Sequence, residues 1–508
     1  MSTETARPPA TQGAKYMTLL AALLGWMFDG FEMGLFPLIG KPALGDLLGA
    51  EGAKNTGMWF GIIIAVFLVG AATGGVLFGW LGDKIGRVRA MSLSIFTYAI
   101  FTGLCGFATE AWHIAVLRFI ASLGMGGEWS LGVALVNEIW PGKSRAFIAG
   151  LIGAAANVGF LLVALLSMSL SGFIGGVEGL LKSIGLSDAT TAKLLANSAW
   201  RFLMISGAFP ALLIFFIRLF VPESEKWEEE KAKGATSHWS NADLIGVFIG
   251  CGAALGIIYV WSPAAANISG AVATLITLVG LVVALLGYLY PVRQYLARAT
   301  AAGSLQPESQ GKIVKSMLLG AGLASVALLG TWGSIQWAPG WADQLQPNTK
   351  EVKYYAKEKT QIATAVGAIV ATIAAAVAAG RFGRRITYTV MCVGSIVSAL
   401  WFYNANSTFG TGFLVAAFLA GGITASFYGF FPLYFPELFP TAVRATGQGF
   451  SFNFGRIVAA IGGLQTATLM KAFDGSFPKA GSVMAAIYVI GIFIIWLGPE
   501  TKDKELPE

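Results

Sequence analysis

The sequence predicts an all-α membrane protein with about fourteen transmembrane helices, and three observations support this fold class. Hydrophobic residues make up 56% of the chain and charged residues 12%, with a mean hydropathy of +0.69, a balance typical of proteins that fold in a bilayer. Apolar runs of about 20 residues, long enough to cross the hydrocarbon as a helix, recur from residue 17 almost to the C-terminus. Two motifs with basic residues recur later in the chain, which indicates two related halves.

The individual spans follow from the apolar runs between polar breaks. Six runs precede residue 222, near residues 17–41, 57–82, 90–109, 113–138, 146–172 and 199–221. Six more follow residue 312, near residues 312–335, 361–380, 386–404, 411–435, 443–470 and 481–498. Two further runs, near 244–265 and 270–290, lie between these sets and predict an inserted helix hairpin.

The domain organisation predicted from these runs has five parts. They are an N-terminal tail (1–16), a first six-helix half (17–221), a linker (222–311) that contains the hairpin (244–290), a second six-helix half (312–500) and a C-terminal tail (501–508). Lys and Arg are about twice as frequent in one set of connections as in the other, and basic connections stay in the cytoplasm. We therefore expect a multi-pass protein of the cell inner (plasma) membrane with both termini cytoplasmic.

An internal repeat supports the two halves. The segment Glu138–Arg145 (Glu-Ile-Trp-Pro-Gly-Lys-Ser-Arg) aligns with Glu437–Arg444 (Glu-Leu-Phe-Pro-Thr-Ala-Val-Arg). Lys84–Arg87 (Lys-Ile-Gly-Arg) aligns with Arg381–Arg384 (Arg-Phe-Gly-Arg) at nearly the same separation. Because both matches fall on predicted cytoplasmic turns, the sequence indicates a duplicated six-helix unit.

The turn Gly79–Arg89 reads Gly-Trp-Leu-Gly-Asp-Lys-Ile-Gly-Arg-Val-Arg and resembles the signature loop of the major facilitator superfamily. The resemblance implies the major facilitator fold, with the hairpin as an addition, and a cytoplasmic gate that opens when the site faces inward. In the second copy Gly380 stands where Asp83 stands in the first. The alternative is a set of static salt bridges. The gate residues implied are Gly79, Asp83, Lys84, Gly86, Arg87, Arg89, Glu138, Arg145, Arg381, Arg384, Glu437 and Arg444.

The first span carries two acids, Asp29 and Glu32, one helical turn apart and about midway through the membrane, where an unpaired charge costs several kcal/mol or more. The run Phe28–Pro37 resembles the first-span motif of the aromatic-acid and sialate or metabolite proton symporters. That resemblance implies proton coupling through the acidic pair, to which we add Glu128 of the fourth span.

Deep basic residues are the candidates for binding an anion, because a guanidinium suits a carboxylate. Arg118 lies in a fourth-span run that resembles the same symporters, and Arg456 lies near the predicted midplane of the eleventh helix of the two halves. Arg118 alternatively pairs with an acid of the first span, and Arg456 with groups near Glu437 or with a carbonyl. Further candidates for substrate binding are Asn157, Asn453, Gln336 and Trp337, although an interfacial aromatic belt is an alternative for Trp337.

The function predicted is secondary active transport, namely proton-coupled uptake of a small carboxylate by alternating access. The expected partners are that substrate, protons and membrane lipids, with no nucleic acid, and the monomer is expected to function. No nucleotide-binding loop, metal-ligand spacing or catalytic constellation is legible in the sequence, so we expect no enzyme activity, cofactor or metal. A sugar or polyol carrier is the first rival, because Pro222–Trp227 resembles the end-of-half motif of sugar porters; a non-transporting membrane sensor is the second.

Overall fold

The computed structural model of the chain describes residues 12–140, 142, 144–262, 265, 267–346 and 354–507. The predicted N-terminal tail lies largely outside these residues, as do parts of the hairpin turn, of the loop after residue 346 and of the turn after Glu138, and the last residue of the C-terminal tail. Throughout the described residues the chain is nearly all helical, and no strand occurs among them.

The helices that concern the site are named in chain order. They are α1 (Gln12–Gly52), α2 (Thr56–Ile85), α3 (Arg87–Leu104), α4 (Ala111–Ile139), α5 (Arg145–Ser183), α6 (Asp188–Ser206), α7 (Leu212–Phe220), α8 (Glu225–Ala232), α9 (Leu244–Val260), α10 (Gly270–Ala301), α11 (Pro307–Gly333), α12 (Ala338–Leu345), α13 (Ala356–Phe382), α14 (Arg384–Ala405), α15 (Thr411–Ala425), α16 (Phe427–Tyr434), α17 (Arg444–Ala472), α18 (Phe477–Ala485) and α19 (Ile487–Ile494).

Twelve helical segments within the described residues are long and apolar enough to cross a membrane, and α9 and α10 of the predicted hairpin are among them. Two predicted spans are not among the twelve. The sixth is broken between α6 and α7, near Pro210. The eleventh is α17, a continuous helix of 29 residues whose polar residues, among them Asn453 and Arg456, lower its hydropathy. Helices therefore occur at every predicted span position.

Two of the spans are longer than the sequence analysis predicted. Helix α1 continues past residue 41 to Gly52, with a break in helical geometry at Gly49. Helix α5 continues past residue 172 to Ser183 and ends just before Gly185, whose φ of +89° lies in the left-handed region. The Ser- and Gly-rich stretch that ended the predicted fifth span contains no proline, so the helix continues through it.

Helices from before residue 222 meet those from after residue 312 along two seams, where α2 packs on α17 and α5 packs on α13. Small residues allow close approach at these seams: a Cβ added to Gly79 would lie 2.7 Å from the carbonyl oxygen of Ala445. The hairpin helices α9 and α10 pack on each other, and α9 packs on α2. The hydroxyls of Thr73 in α2 and Tyr288 in α10 lie 2.8 Å apart. The domain boundaries given above stay predictions.

Candidate functional site

A cavity lies between the two seams. Helices α1, α2, α4 and α5 line one side, and α11, α13, α15, α16 and α17 line the other. Among the described residues of its wall, Asp29 and Arg456 carry charge. The uncharged polar residues of the wall are Asn157, Thr331, Gln336, Gln361 and Thr364, and its aromatic residues are Trp26, Trp129, Phe160, Trp332, Tyr428 and Phe452.

The two charged residues of the wall lie deep in the helix bundle. Arg456 is three turns into α17, or about 18 Å beyond Arg444 at a rise of 1.5 Å per residue. Asp29 is about 21 Å along α1 from Lys15, whose carbonyl oxygen accepts a hydrogen bond from the indole of Trp140 next to the end of α4. Both distances place the charges near the middle of about 30 Å of hydrocarbon.

Asp29 and Arg456 both line the cavity, and no ion pair joins them within the described residues. The side chains are almost completely buried, and the Oδ1 atom of Asp29 and the Nη1 atom of Arg456 have no hydrogen-bond partner in the described part of the chain. The guanidinium of Arg456 lies 5.4 Å from the centre of the Phe452 ring. The cavity therefore contains one acid and one base that are each able to bind a further group.

Glu32 and Arg118 form a buried ion pair beside the cavity, with Nη1 of Arg118 2.6 Å from Oε1 of Glu32. The guanidinium lies between the rings of Phe36 and Phe67, at 4.4 and 4.7 Å from their centres. Neither charged residue lines the cavity. This is the pairing with a first-span acid that the sequence left open for Arg118.

Glu128 is buried against α1, outside the cavity wall. Its carboxylate fills the space beside Gly25, so that a Cβ added there would overlap Oε1 of Glu128. Gly25 is one turn before Asp29, which Glu128 influences electrostatically. The Oε2 atom of Glu128 has no hydrogen-bond partner among the described residues.

The other predicted binding residues divide into two groups. Asn157 and Gln336 line the cavity, and Gln336 is exposed. Asn453 lies outside it, where its amide donates hydrogen bonds to the carbonyl oxygens of Gly126 (3.2 Å) and Gly449 (3.0 Å) and so connects α17 with α4. Trp337 also lies outside the wall, and its ring centre is 6.4 Å from that of Phe477.

A cluster of buried charges closes the bundle on the side where α2 and α4 end and α17 begins. We call it the charged cluster, and its members are Asp83, Arg87, Glu138, Arg145, Arg384, Glu437 and Arg444. Arg87 pairs with Asp83 at 2.7 Å and with Glu138 at 3.2 Å. Arg444 pairs with the same Glu138 oxygen at 2.8 Å.

Several bonds of the charged cluster cross from one half of the bundle to the other. Besides the pair of Arg444 with Glu138, Arg145 pairs with Glu437, which Arg384 also binds at 2.6 Å. The Asp83 carboxylate accepts hydrogen bonds from the amide (2.8 Å) and hydroxyl (2.6 Å) of Thr446. The cavity is thus sealed on this side, whereas Gln336 is exposed at the other end of it.

The remaining residues of the predicted gate lie around the cluster. Lys84 donates a hydrogen bond of 2.5 Å to Asn241 in the linker before the hairpin, and Arg89 is exposed. Arg381 lies 5.7 Å from the ring centre of Phe382. Gly86 has a φ of +113°, which strongly favours glycine.

Two short segments, residues 222–224 after the first half and residues 499–501 near the end of the second, bind the glutamates of the charged cluster in the same way. The Ser224 hydroxyl donates to Oε2 of Glu138, and the Thr501 hydroxyl donates to Oε2 of Glu437 at 2.5 Å. Each preceding glutamate accepts hydrogen bonds from backbone amides at the start of a helix, Glu223 from α3 and Glu500 from α14. The sequence analysis identified Pro-Glu-Ser at 222–224 but missed a similar segment, Pro-Glu-Thr at 499–501. The equivalent hydrogen bonds of Ser224 and Thr501 show that the two segments correspond.

These two glutamates differ in their acid–base behaviour. Burial raises the pKa of Glu223 above its usual value, in spite of the hydrogen bonds that it accepts from backbone amides. Burial also favours a higher pKa for Glu500, but the amides of Arg384, Arg385 and Lys502 outweigh this effect and lower the net pKa. Glu500 is therefore the one of the two that is more strongly held as a carboxylate.

The C-terminal tail also contacts the cluster through its backbone. Arg444 donates a hydrogen bond of 2.6 Å to the carbonyl oxygen of Pro507, and Arg145 donates one of 3.4 Å to that of Lys504. The side chain of Leu506 is buried. The contacts with Lys15 and Pro507 place both ends of the described chain on the side of the charged cluster.

The sequence analysis did not assign several residues of the cavity wall, among them Trp26, Gln361 and Tyr428. Trp26 is one turn before Asp29 on α1, so helical spacing from the acidic pair would have found it. Gln361 and Tyr428 are separated in sequence from the motifs, and the sequence contains no signal for their position in the wall.

The family model described as "Sugar (and other) transporter" matches residues 17–247 and 350–508. A Haemophilus influenzae protein that carries the name of a metabolite transport protein is 27% identical over 97% of this chain and 98% of its own length. A cis,cis-muconate transport protein of Acinetobacter baylyi is 26% identical over 85% of this chain and 82% of its own. The solved structure of the proton:xylose symporter XylE, from E. coli, has a TM-score of 0.65 at 18% identity and covers 97% of each chain.

The chain therefore belongs to the sugar (and other) transporter family, within the major facilitator superfamily. It is a multi-pass membrane transporter and not an enzyme, and its fold is the all-α major facilitator fold that the sequence predicted.

Proposed function

We propose that the protein is a proton-coupled symporter that takes up a small organic carboxylate. The observation that carries this proposal is that Asp29 and Arg456 lie on the wall of one cavity and that neither has an ion-pair partner among the residues the structure describes. A guanidinium that lacks an anionic partner in a low-dielectric site strongly favours a carboxylate ligand. A relative named as a cis,cis-muconate transport protein supports this class of substrate.

Asp29 is the proposed proton carrier, because it is the acid among the described wall residues and none of the described cations forms an ion pair with it. An ionised carboxylate near the bilayer midplane is costly unless a positive charge compensates it. Before substrate binds, Arg456 on the same cavity wall is the proposed source of part of that charge. When a substrate carboxylate occupies Arg456, Asp29 loses this compensation and takes up a proton, so binding of the two is coupled.

The other acids have supporting roles in this proposal. Arg118 already neutralises Glu32 at 2.6 Å, so this pair holds α1 against α4. Glu128 lies beside Gly25, one turn from Asp29, and is the second acid available to take a proton. Asn157 and Gln336 contact the uncharged part of the substrate.

In the proposed mechanism, the cavity is closed on one side and opens alternately to the two sides of the membrane. The charged cluster is the proposed cytoplasmic gate, here closed, and both termini lie on the cytoplasmic side of the cell inner membrane. The excess of Lys and Arg in the connections on that side supports this orientation. Breaking the cluster's bonds opens the cavity inward as the halves rock. The monomer carries the complete site, surrounded by membrane lipids.

A sugar carrier is the second candidate. It is favoured by the amide side chains of Asn157, Gln336 and Gln361 in the wall, since such groups bind hydroxyls. The fold similarity to XylE is compatible with either candidate, because at 18% identity it concerns the fold alone.

Uptake into proteoliposomes tests the proposal. Radiolabelled muconate, benzoate, sialate and xylose are supplied with and without an inward proton gradient. We expect accumulation of an acid that depends on the gradient, and loss of its binding in Arg456→Gln by about 100-fold, because removing one partner of a buried charge pair costs 2–5 kcal/mol. Arg201→Gln, at a partly exposed pair with Asp46, is the matched control. Gradient-independent equilibration of xylose would refute the carboxylate proposal.

A further inference from the structure

A further cavity, of about 660 Å³, lies beside the charged cluster, where the seam between α5 and α13 ends. Its charged residues within the described part of the chain are the bases Arg145, Lys226, Arg384 and Lys504 and the acids Asp503 and Glu505. Glu437 lies outside the wall but pairs with two of these bases. The balance is then four positive charges to three negative ones, so the surroundings of this cavity favour an anion.

The internal repeat shows which group occupies the equivalent place at the other seam, between α2 and α17. The carboxylate of Asp83 accepts hydrogen bonds there from the amides of Ala445 (3.2 Å) and Thr446 (2.8 Å), at the start of α17. It also pairs with Nη1 of Arg87 at 2.7 Å. An acid of the chain thus joins the end of α2 to the start of α17.

At the seam between α5 and α13 that acid is missing. Gly380 stands at the position of Asp83, and Arg384 at that of Arg87. Nη1 of Arg384 donates to the carbonyl oxygen of Ala379 at 2.8 Å, and Arg87 makes the equivalent bond in its own repeat. No carboxylate of the described residues takes the second hydrogen of this Arg384 nitrogen, whereas Asp83 takes that of Arg87.

The start of α5 likewise has no acid to compensate it. Helix α5 contains no acidic residue in its first turn, and Ser144 before it provides no side-chain cap. Arg145 and Ala146 line the cavity, and Arg145 is only 9% exposed. Its Nη2 atom binds Glu437 and the carbonyl oxygen of Lys504, but neither Nε nor Nη1 has a partner in the described chain. A helix start beside a buried guanidinium with free donors is suited to an anion.

We infer that this cavity binds a small oxyanion, a phosphate or a carboxylate, in the place that the Asp83 carboxylate has at the other seam. The oxyanion accepts hydrogen bonds from the start of α5 and from Arg145 and Arg384, while Lys226 and Lys504 add positive charge. It joins α14 to α5 and thereby holds the charged cluster together. The site is separate from the central cavity, and only its consequence for transport rests on the proposed function.

Thermal unfolding of the purified full-length protein in detergent tests this at increasing sodium phosphate, with sodium chloride keeping the ionic strength constant. We expect a saturable rise in the unfolding midpoint, because a ligand of the folded state stabilises it by mass action. In a second arm the protein is placed in phosphatidylcholine vesicles with or without phosphatidylglycerol and without free phosphate. A rise in the first arm identifies a free anion as the ligand, and a rise in the second arm alone identifies the headgroup of an anionic lipid.

The combined variant Lys226→Ala and Lys504→Ala removes two bases of the lining. We expect the phosphate concentration at half the rise to increase about fivefold or more, because charge-assisted contacts with the anion are lost. For a lipid ligand, the rise with phosphatidylglycerol should shrink in the same variant. Lys502→Ala is the matched control, since it removes the same charge from the same tail outside the cavity and should leave the response unchanged.

Gly380→Asp supplies the acid that Asp83 supplies at the other seam. Without phosphate, this variant should unfold at a higher temperature than Gly380→Asn, and phosphate should no longer stabilise it. The two side chains have nearly the same size, and both meet the Cβ of Ala146, which lies 2.9 Å from a Cβ at position 380. A difference between these variants therefore reports the charge and not the steric effect.

The absence of a saturable rise in both arms, or a rise that is unchanged in the lysine variant, would overturn the inference. Equal unfolding midpoints of Gly380→Asp and Gly380→Asn would overturn it as well. None of these measurements involves transport. A failure of gradient-driven uptake would therefore count against the proposed function and leave this test intact.

Discussion

The guanidinium of Arg444, at the start of α17, lies 2.8 Å from the carboxylate of Glu138, near the end of α4. Both side chains are fully buried, and Arg87 binds the same Glu138 oxygen at 3.2 Å. The pair joins a helix from before residue 222 to one from after residue 312. It therefore holds the bundle closed on the side of the charged cluster, and its loss has consequences for stability that are measurable.

Glu138→Gln should lower the thermal stability of the protein substantially. The amide keeps the shape of the side chain but leaves Arg444 without its anion, and breaking a buried pair costs about 3–5 kcal/mol. The measurement is the unfolding midpoint in detergent, followed by intrinsic fluorescence. Glu178→Gln, at an exposed pair with Lys182 at 2.9 Å, is the control and should change stability by less than about 0.5 kcal/mol. Equal shifts in the two variants would contradict a structural role for the Glu138 pair.

For the Glu32–Arg118 pair we predict that a second substitution recovers stability that a first one removes. Arg118→Met alone leaves the Glu32 charge buried and unpaired, so we expect a loss of about 3–5 kcal/mol. Adding Glu32→Gln removes that charge and should recover most of the loss, because apolar or neutral replacement of a whole pair is often tolerated. Denaturation of the two variants side by side measures this. A double variant no more stable than Arg118→Met would show that the two side chains act independently.

Gly86→Ala should destabilise the turn between α2 and α3. The φ of +113° disfavours any residue with a Cβ by about 1–2 kcal/mol, and the added atom would also overlap the Glu223 carboxylate. Gly172→Ala is the control, because that helical glycine has no atom near its Cβ position, and alanine there is expected to be neutral or slightly stabilising. The measurement is the unfolding midpoint of each variant in detergent. If Gly86→Ala and Gly172→Ala both unfold at the same temperature as the wild type, the turn does not require glycine at position 86.

Removal of the tail after Asp503 should weaken the charged cluster. The truncation deletes the carbonyl oxygens that Arg145 and Arg444 bind at Lys504 and Pro507, together with the buried Leu506. We expect a lower unfolding midpoint than in the full chain. The combined variant Lys504→Ala and Glu505→Ala keeps those backbone oxygens and should melt like the wild type. If the double alanine variant unfolds at a lower temperature than the truncated protein, the side chains of Lys504 and Glu505, and not the backbone, make the stabilising contact.

The fold was predictable because apolar length and repeated turns are local properties of the sequence. The spans were located by runs that must cross the bilayer, including the hairpin between residues 244 and 290. What escaped prediction was helix length. Helix α5 continues to Ser183, because neither serine nor glycine ends a helix by itself when no proline follows.

The site was predictable only in part, because pairing between distant helices has no local signature. Deep charges were recognisable from their cost in the membrane, and Asp29 and Arg456 both line the cavity. The sequence left open whether Arg118 would pair with a first-span acid, as it does with Glu32, and did not show that Asn453 would bond to the backbone of α4. These outcomes depend on helix rotation and packing, which also place Tyr428 in the wall.

Proton movement in response to substrate is the most direct test of the central claim. Proteoliposomes containing a pH-sensitive dye are given trans,trans-muconate at equal pH inside and outside, with wild-type protein or Asp29→Asn. We predict acidification of the lumen by the wild type and none by Asp29→Asn, while both still bind the acid. Entry of muconate without acidification, or acidification that persists in Asp29→Asn, would contradict proton coupling through Asp29.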